Sequence, residues 1–297
     1  MIINKANLSA LFIAFKAAFN EGFRGAKPQW EQVATLVPST TKEEKYGWLG
    51  QFPRLREWVG DRQVKNLAAH DYSIRNKSFE ATIGVKREEI EDDSYGVFKP
   101  LFQEMGYAAV THPDELVYGL LAAGFASLCF DGQYFFDTDH PVGDEANGIA
   151  SVSNMQAGGG NAWFLLDAKR PLKPLIFQKR KDYNLQTLIG EDDEAVFMRG
   201  EYRYGVDARG NVGYGFWQLA FGSKATLDET NFNAARVAML AFKSDEGRPL
   251  GIQPTVLICG PSNAALAEKL LLTATLANGA SNPNYKKVEL LVVPWLA

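Results

Sequence analysis

The sequence contains little cysteine or histidine, two and three residues respectively in 297, and no apolar run as long as a membrane span. Cys129 and Cys259 both lie in apolar stretches, so we expect buried thiols in a reducing compartment and not a disulfide framework. Without a long apolar run, a membrane protein is not expected. Lys16 interrupts the apolar N-terminal stretch, which favours an amphipathic helix over a signal peptide.

Positive charge is not in excess either. The chain carries 31 Lys and Arg against 35 Asp and Glu, a net charge of −4, and its sequence pI is about 5.6. Because binding to nucleic-acid phosphates needs clustered Lys and Arg, this balance argues against a strongly basic nucleic-acid-binding protein. Hydrophobic residues make up 46% of the chain, enough for a sizeable core in one large domain or two.

The stretch from Ser94 to Phe125 predicts a long helix, because apolar residues recur in it every three or four positions. Pro113 marks either a kink or the start of a second helix. If both halves are collinear, the helix has roughly 25 residues and is about 40 Å long. The apolar positions of this helix are Leu101, Met105, Ala108, Ala109, Leu116, Leu120 and Leu121.

A second amphipathic helix opens the chain, and Asn7 or Ser9 is its expected cap. One face of this helix is apolar, so it must pack on the core of its own chain or on a neighbouring subunit. The residues of this face are Leu8, Leu11, Phe12, Phe15, Ala18 and Phe19.

Several segments are expected to be strands or loops. Apolar residues alternate from Phe79 to Val85, which predicts a strand in a charged, turn-rich arm. An isolated two-stranded arm is marginal in water, so it lies across another surface or forms a small sheet on the body. Residues 197–205 and 213–221 are predicted to pair as a hairpin around residues 207–211. Residues 143–161 are expected to form a loop, and 179–193 an exposed polar segment.

The last third of the chain has α/β character. Asp228 is expected to cap a helix, residues 255–259 form a buried strand, and residues 288–293 form a final strand. Between those strands, a helix that follows Gly260 is expected to have Leu266 and Leu270 on one face.

Only one group of residues has the composition of a metal or acid–base site: Asp131, Asp137, Asp139 and His140. Because Asp is an ordinary turn residue and no second ligand cluster with comparable spacing occurs, a structural turn is the favoured interpretation.

The other chemical candidates have simpler interpretations. Ser262 lacks the flanking glycines of a nucleophile elbow, so helix capping is favoured. Residues 158–160 are three glycines without the Lys and Ser/Thr of a phosphate loop, so a flexible loop is expected. His70 and His112 have no Cys or Ser nearby. We therefore predict no catalytic residue, metal or cofactor, and an assembly unit in preference to an enzyme.

Several segments, in order along nearly the whole chain, together resemble one family: the major head subunit, or major capsid protein, of Mu-like phages and prophages. The segments that carry the resemblance are residues 7–12, 15–19, 37–41, 48–53, 112–116, 135–141, 173–178, 204–209 and 290–295. No single segment is diagnostic, but the set is specific.

The resemblance implies an α+β, Hong Kong 97-like phage capsid fold. In that fold residues 1–38 are an N-terminal arm, and residues 39–93 are an extended two-stranded loop and its roots. Residues 94–150 form a peripheral domain with the long spine helix. Residues 151–297 form the α/β axial domain, together with returning peripheral strands.

The implied function is structural. Subunits self-assemble into pentamers and hexamers of an icosahedral head that encloses phage double-stranded DNA, bound without sequence specificity. The implied partners are other copies of the chain, scaffold/protease proteins and portal proteins, with no membrane. The implied location is the virion, with assembly in the bacterial host cytoplasm. The expected subunit-interface residues lie near the loop tip, with Trp58 as an aromatic anchor among charges: Arg54, Arg56, Glu57, Trp58, Asp61 and Arg62.

Three alternatives remain open at this point. The first is an encapsulin-like shell protein of a bacterial nanocompartment, which shares the fold but encloses cargo enzymes. The second is a metal-dependent hydrolase that uses Asp137, Asp139 and His140. The third is a monomeric α/β binding protein.

Overall fold

The computed structural model describes residues 2–50, 72–92, 94–144, 148–190 and 193–296. Its helices are, in chain order, α1 (Lys5–Gly25), α2 (Arg87–Glu91), α3 (Lys99–Ala123), α4 (Glu194–Arg199), α5 (Glu229–Leu240) and α6 (Pro261–Leu272). Its strands are β1 (Ala34–Pro38), β2 (Glu43–Lys45), β3 (Ser73–Arg75), β4 (Lys77–Lys86), β5 (His140–Asp144), β6 (Gly148–Val152), β7 (Met155–Gln156), β8 (Trp163–Leu166), β9 (Leu175–Leu188), β10 (Glu201–Tyr214), β11 (Ala220–Ser223), β12 (Val256–Cys259) and β13 (Glu289–Val292). Within the described residues, no helix is long and apolar enough to cross a membrane.

The N-terminal helix forms as its apolar spacing predicts, but it begins earlier than expected. Asn4, and not Asn7 or Ser9, is the cap, because its side-chain oxygen accepts a hydrogen bond of 2.8 Å from the backbone N–H of Asn7. The buried face consists of Leu8, Leu11, Phe15, Ala18 and Phe19. This face packs on the core of its own chain, mainly against α3.

Helix α3 is a single helix of 25 residues with Pro113 inside it. The proline removes one backbone hydrogen bond, but it is buried, so packing holds the helix together across it. The buried face differs partly from the expected one, since Leu101 and Ala108 are exposed and Phe102 is fully buried.

Helices α1 and α3 approach each other through two glycines. A Cβ atom at Gly106 would lie 2.0 Å from the carbonyl oxygen of Phe19, and one at Gly22 would lie 1.9 Å from that of Gln103. Since no real Cβ atom tolerates such a distance, each glycine allows backbone-to-backbone contact at its crossing point.

The first sheet has four strands in the order β1-β9-β10-β4, and α3 packs on it. Strand β4 contains the alternating residues of the predicted arm, so this segment is an edge strand of the body sheet. Strand β9 continues to Leu188, through most of the segment expected to be an exposed polar connection.

The hairpin predicted around residues 207–211 is wrong. Glu201–Tyr214 is one continuous strand of 14 residues, paired with β9 on one side and β4 on the other. The register with β9 shifts between Asp207 and Gly210, so the turn-type residues accommodate irregular pairing and not a reversal. Gly210 is required there because a Cβ would lie 2.7 Å from the carbonyl oxygen of Gln178.

The second sheet has five strands in the order β13-β12-β8-β11-β7. The expected strands of the last third are present, and Asp228 caps α5 by accepting a 2.8 Å hydrogen bond from Asn231 N. The predicted face of α6 is only partly confirmed: Leu270 packs against the core, but Leu266 is exposed, and Ala267 and Leu271 are the buried residues. The predicted loop at 143–161 contains the β5–β6 hairpin and β7.

Candidate assembly surfaces

The predicted interface residues Arg54, Arg56, Glu57, Trp58, Asp61 and Arg62 lie outside the described residues, as does His70. The structure does describe the chain on both sides of that segment, here called the root: strands β2 and β3 with Tyr46 and Tyr72. Strands β2 and β3 pair antiparallel, and Tyr46 N donates a 2.9 Å hydrogen bond to Tyr72 O. Tyr46 and Tyr72 therefore lie side by side, although they are far apart in the sequence.

A buried polar network holds this root on the first sheet. Gln178 of β9 accepts a 2.7 Å hydrogen bond from the Tyr46 hydroxyl and donates to Asn76 Oδ1 at 2.8 Å. Asn76 in turn donates to Ser39 Oγ at 2.8 Å, and the Tyr72 hydroxyl accepts from Tyr214 N at 2.7 Å. Because these groups are buried and paired, breaking the network would leave unsatisfied polar atoms in the body.

Glu44 of β2 holds the turn at residues 39–41 by hydrogen bonds. One of its carboxylate oxygens accepts hydrogen bonds from Ser39 Oγ and from the backbone N–H groups of Thr40 and Thr41, at 2.9, 2.9 and 3.1 Å. These bonds, the one from Ser39 first, lower the pKa of Glu44 from its ordinary 4.5 to about 2.

The spine helix α3 is also fixed to the segment that follows α1. Asp114 accepts hydrogen bonds from the backbone N–H groups of Gln29 and Trp30, at 2.9 and 2.6 Å. Burial raises the pKa of this carboxyl although the two hydrogen bonds oppose the shift. Asp114 therefore sets where the chain turns from the N-terminal helix into the first sheet.

A groove of about 450 Å³ lies between α3 and β4. Apolar side chains such as Ile83, Met105 and Val206 line it, together with the exposed carboxylates of Glu80, Glu104 and Glu115. His112 also lines the groove, and its Nδ1 lies 2.6 Å from the Tyr183 hydroxyl, with burial lowering the pKa of the imidazole. His112 thus lies inside α3, with its side chain in the groove.

Apolar side chains also project from two helices. Phe197 and Met198 of α4 are 81% and 70% exposed, and Val237 of α5 is 63% exposed with Leu240 one turn further along. Adjacent large apolar groups in solvent are typical of surfaces that a partner covers. These positions are therefore candidate subunit contacts that the sequence did not single out.

The four candidate metal or acid–base residues divide into two places. Asp137 accepts hydrogen bonds from the backbone N–H groups of Tyr134 and Thr138, at 3.1 and 2.7 Å, which is a turn role. Asp139 is exposed and hydrogen-bonded to Asp137, which raises its pKa. Asp131 instead lies beside His140, whose Nδ1 is 2.7 Å from Asp131 Oδ2.

His140 is completely buried, and its ring stacks on Trp217 with centroids 4.0 Å apart. Cys129 joins this pair, since its thiol donates to Asp131 Oδ1 at 3.0 Å. Burial raises the pKa of Cys129. Burial would also raise that of Asp131, but the hydrogen bonds from His140 and Cys129 outweigh it and lower the pKa. Cys129 was not among the site residues predicted from the sequence, although its position two residues before Asp131 could have indicated that it belongs with them.

The remaining candidates have structural positions. Ser262 is exposed and does not cap α6, whose cap is Gly260 with no side-chain hydrogen bond. Gly158 packs its backbone against Lys224, where a Cβ would lie 2.3 Å from the carbonyl oxygen, so this part of the glycine run is fixed.

Solved structures share this fold over the whole chain. The procapsid of bacteriophage JBD30 aligns with 99% of this chain and 100% of its own, at 50% identity and a TM-score of 0.89. The JBD30 capsid aligns over 100% of both chains at 39% identity and a TM-score of 0.78. The fold is therefore that of a Hong Kong 97-like phage capsid protein.

Proteins with similar sequences identify the family of phage capsid proteins to which the chain belongs. The model of the family "Mu-like prophage major head subunit gpT" matches residues 8–296. The major capsid protein of Escherichia phage Mu is 40% identical over 100% of both chains. The Mu-like prophage FluMu major head subunit of Haemophilus influenzae is 46% identical, over 89% of this chain and 88% of that protein. The chain belongs to the Mu-like prophage major head subunit family and is the major capsid protein of a Mu-like phage.

Proposed function

We propose that this chain assembles with copies of itself into pentamers and hexamers, and that these close into an icosahedral head around double-stranded DNA. The observation that carries the proposal is the full-length match to a phage procapsid subunit. Scaffold/protease and portal proteins would be its partners, and assembly would take place in the bacterial host cytoplasm. The mildly acidic net charge supports this, since a strongly basic lining would hold packaged DNA tightly.

The proposed division of the subunit keeps the expected bounds: arm 1–38, extended loop and roots 39–93, peripheral domain 94–150, and axial domain with returning peripheral strands 151–297. Packing of α1 along α3 supports an arm that starts on the body of its own subunit. The paired root at Tyr46 and Tyr72 supports a loop that extends from the body between them.

Electron microscopy of the chain, expressed alone and with its neighbouring scaffold/protease gene, tests this proposal. Closed particles or free rings of five or six subunits are the expected result. A monodisperse monomer under both conditions would contradict it. Portal, scaffold/protease and terminase genes beside the coding gene would separate a phage head from an encapsulin-like shell.

For the subunit interface, we propose that Arg54, Arg56 and Trp58, with the neighbouring charges Glu57, Asp61 and Arg62, contact an adjacent subunit. Charge reversal of Arg54 and Arg56 to Glu is expected to reduce the yield of closed shells by an order of magnitude or more. The matched control keeps the charge, with both residues changed to Lys. Normal shells from the charge-reversed variant would refute the contact.

We further propose that the chain has no catalytic function. Support comes from His140, which is completely buried and therefore cannot meet a substrate, and from the turn role of Asp137. An Asp139→Ala variant is expected to assemble as the unmodified chain does, whereas loss of a measurable hydrolase activity in it would favour the enzyme alternative.

A further inference from the structure

Asn154 determines which nitrogen of His140 carries hydrogen. The amide nitrogen of Asn154 lies 2.8 Å from the carbonyl oxygen of Phe135, and its Oδ1 accepts a 2.9 Å hydrogen bond from Asp137 N. These partners fix the orientation of the amide. His140 Nε2 lies 3.2 Å from that same Oδ1, so Nε2 must be the donor.

The other nitrogen then needs a positive charge beside it. With hydrogen on Nε2, a neutral His140 would direct the lone pair of Nδ1 at Asp131 Oδ2, which is 2.7 Å away and itself an acceptor. Two acceptors at that distance repel each other unless a proton or a metal ion lies between them. Either a proton or a metal ion bound to both atoms would remove that repulsion.

Cys129 completes a set of three different donor atoms. Its Sγ, a carboxylate oxygen of Asp131 and a ring nitrogen of His140 all lie within 4.8 Å of one another, and both Cys129 and His140 are buried. Sulfur, nitrogen and oxygen donors are the ligands of zinc-class ions, which bind them at about 2.0–2.3 Å. A ligating histidine typically donates its second N–H to a neighbouring oxygen, as His140 does to Asn154.

We propose that Cys129, Asp131 and His140 form a binding site for one divalent transition-metal ion of the zinc class. The three side chains supply three of the four positions of a tetrahedral zinc site.

The charges of the three ligands match that of one divalent ion. A cysteine must lose its thiol proton to become a metal ligand, so binding of the ion is coupled to proton release. In the metal-bound form a thiolate, a carboxylate and a neutral imidazole surround one divalent ion. Their charges sum to zero, so the metal-bound site buries no net charge.

The place of the cluster suggests what the metal would do. Cys129 and Asp131 lie in the connection between α3 and β5, and His140, the first residue of β5, stacks on Trp217 next to the second sheet. A bound ion would fix this connection to the sheet. This role is independent of how the subunits assemble.

The test uses the full chain, treated with a chelator, dialysed and titrated with cobalt(II) chloride. One cobalt ion per chain is expected, with thiolate-to-cobalt charge-transfer absorption that zinc abolishes, and with release of the Cys129 thiol proton. Cys129→Ser should lose the absorption, while Cys259→Ser, at the other buried cysteine, should keep it. Zinc at a hundredfold excess over its Kd should raise the unfolding midpoint by on the order of 5 °C.

Two results would overturn the proposal: less than stoichiometric cobalt binding by the unmodified chain, or absorption that persists in Cys129→Ser and disappears in Cys259→Ser. Circular dichroism checks that each variant is folded. If Cys129→Ser does not fold, the stoichiometry, the proton release and the Cys259→Ser spectrum of folded protein decide the question.

Discussion

The two sheets of this subunit bury their strands in different ways. In the second sheet, β8, β11 and β12 are only four residues long and every residue is buried. In the first sheet, β4, β9 and β10 have 10 to 14 residues. Half-buried positions alternate with buried ones along β10, and most of β4 and the second half of β9 is exposed or half-buried. The second sheet is thus a closed core, whereas the first offers a half-open surface with a groove. We infer that the second sheet carries most of the subunit's stability and the first most of its contacts.

The largest expected contrast comes from one substitution made in both sheets. Phe164 of β8 is fully buried against Phe125 and Phe136, so Phe164→Ala should lower the free energy of unfolding by about 3–5 kcal/mol. Phe79 of β4 is only half-buried beside His112, so Phe79→Ala should cost about 1 kcal/mol. Urea unfolding of the isolated subunit measures both, and equal losses would break the comparison.

A second pair of variants examines the crossing of α1 and α3. Gly106→Ala places a Cβ against the carbonyl of Phe19 and should destabilise the subunit by about 1–3 kcal/mol. Gly119→Ala, in the same helix with nothing within 4 Å of the added Cβ, should stabilise it by about 0.5–1 kcal/mol. Thermal unfolding compares them, and a neutral Gly106→Ala would mean that the two helices separate at little cost.

The root should be sensitive to acid. Because the folded-state pKa of Glu44 is lowered, its contribution is present above about pH 4.5 and is lost as pH falls towards about 2. Glu44→Gln should therefore be less stable than the unmodified chain at neutral pH, and the difference should shrink with acidification. Unfolding midpoints measured across this range would detect it, and a constant difference would exclude the carboxylate as the cause.

The smallest effect on the isolated subunit is expected at the exposed apolar pair on α4. Phe197→Ser and Met198→Ser should each change the free energy of unfolding by no more than about 0.5 kcal/mol, because both side chains lie in solvent. Their effect should appear instead in the yield of closed particles, counted by electron microscopy. Unchanged assembly in the double variant would remove α4 from the candidate contacts.

The elements that were predicted correctly are those whose sequence pattern reflects their burial or their capping directly. Short apolar runs bounded by turn residues, such as Val256–Cys259, were predicted because burial on both faces makes the whole strand apolar. Asp228 was predicted as a cap because an N-cap acts locally. The long helix Lys99–Ala123 was predicted from the spacing of its apolar residues, and tertiary packing keeps it continuous through Pro113.

The failures have a common physical cause, since each depended on neighbours far away in the chain. Asp207 and Gly210 are turn residues by local preference, but pairing with β9 and β4 keeps them in one strand. Leu266 is apolar yet exposed, so the spacing on α6 could not select its buried face. For the candidate sites, the sequence grouped Asp131 with His140, but the contribution of Cys129 and the orienting role of Asn154 depended on the fold.

The root has a consequence for redesign. Tyr46 and Tyr72 are joined by a backbone hydrogen bond, and Leu49 is buried in the core, so the body holds the chain up to Leu49 and again from Tyr72. Loop-closure entropy changes by only about 0.6 kcal/mol for each doubling of length. We therefore expect that residues 51–71 can be shortened or exchanged between relatives while the subunit still folds.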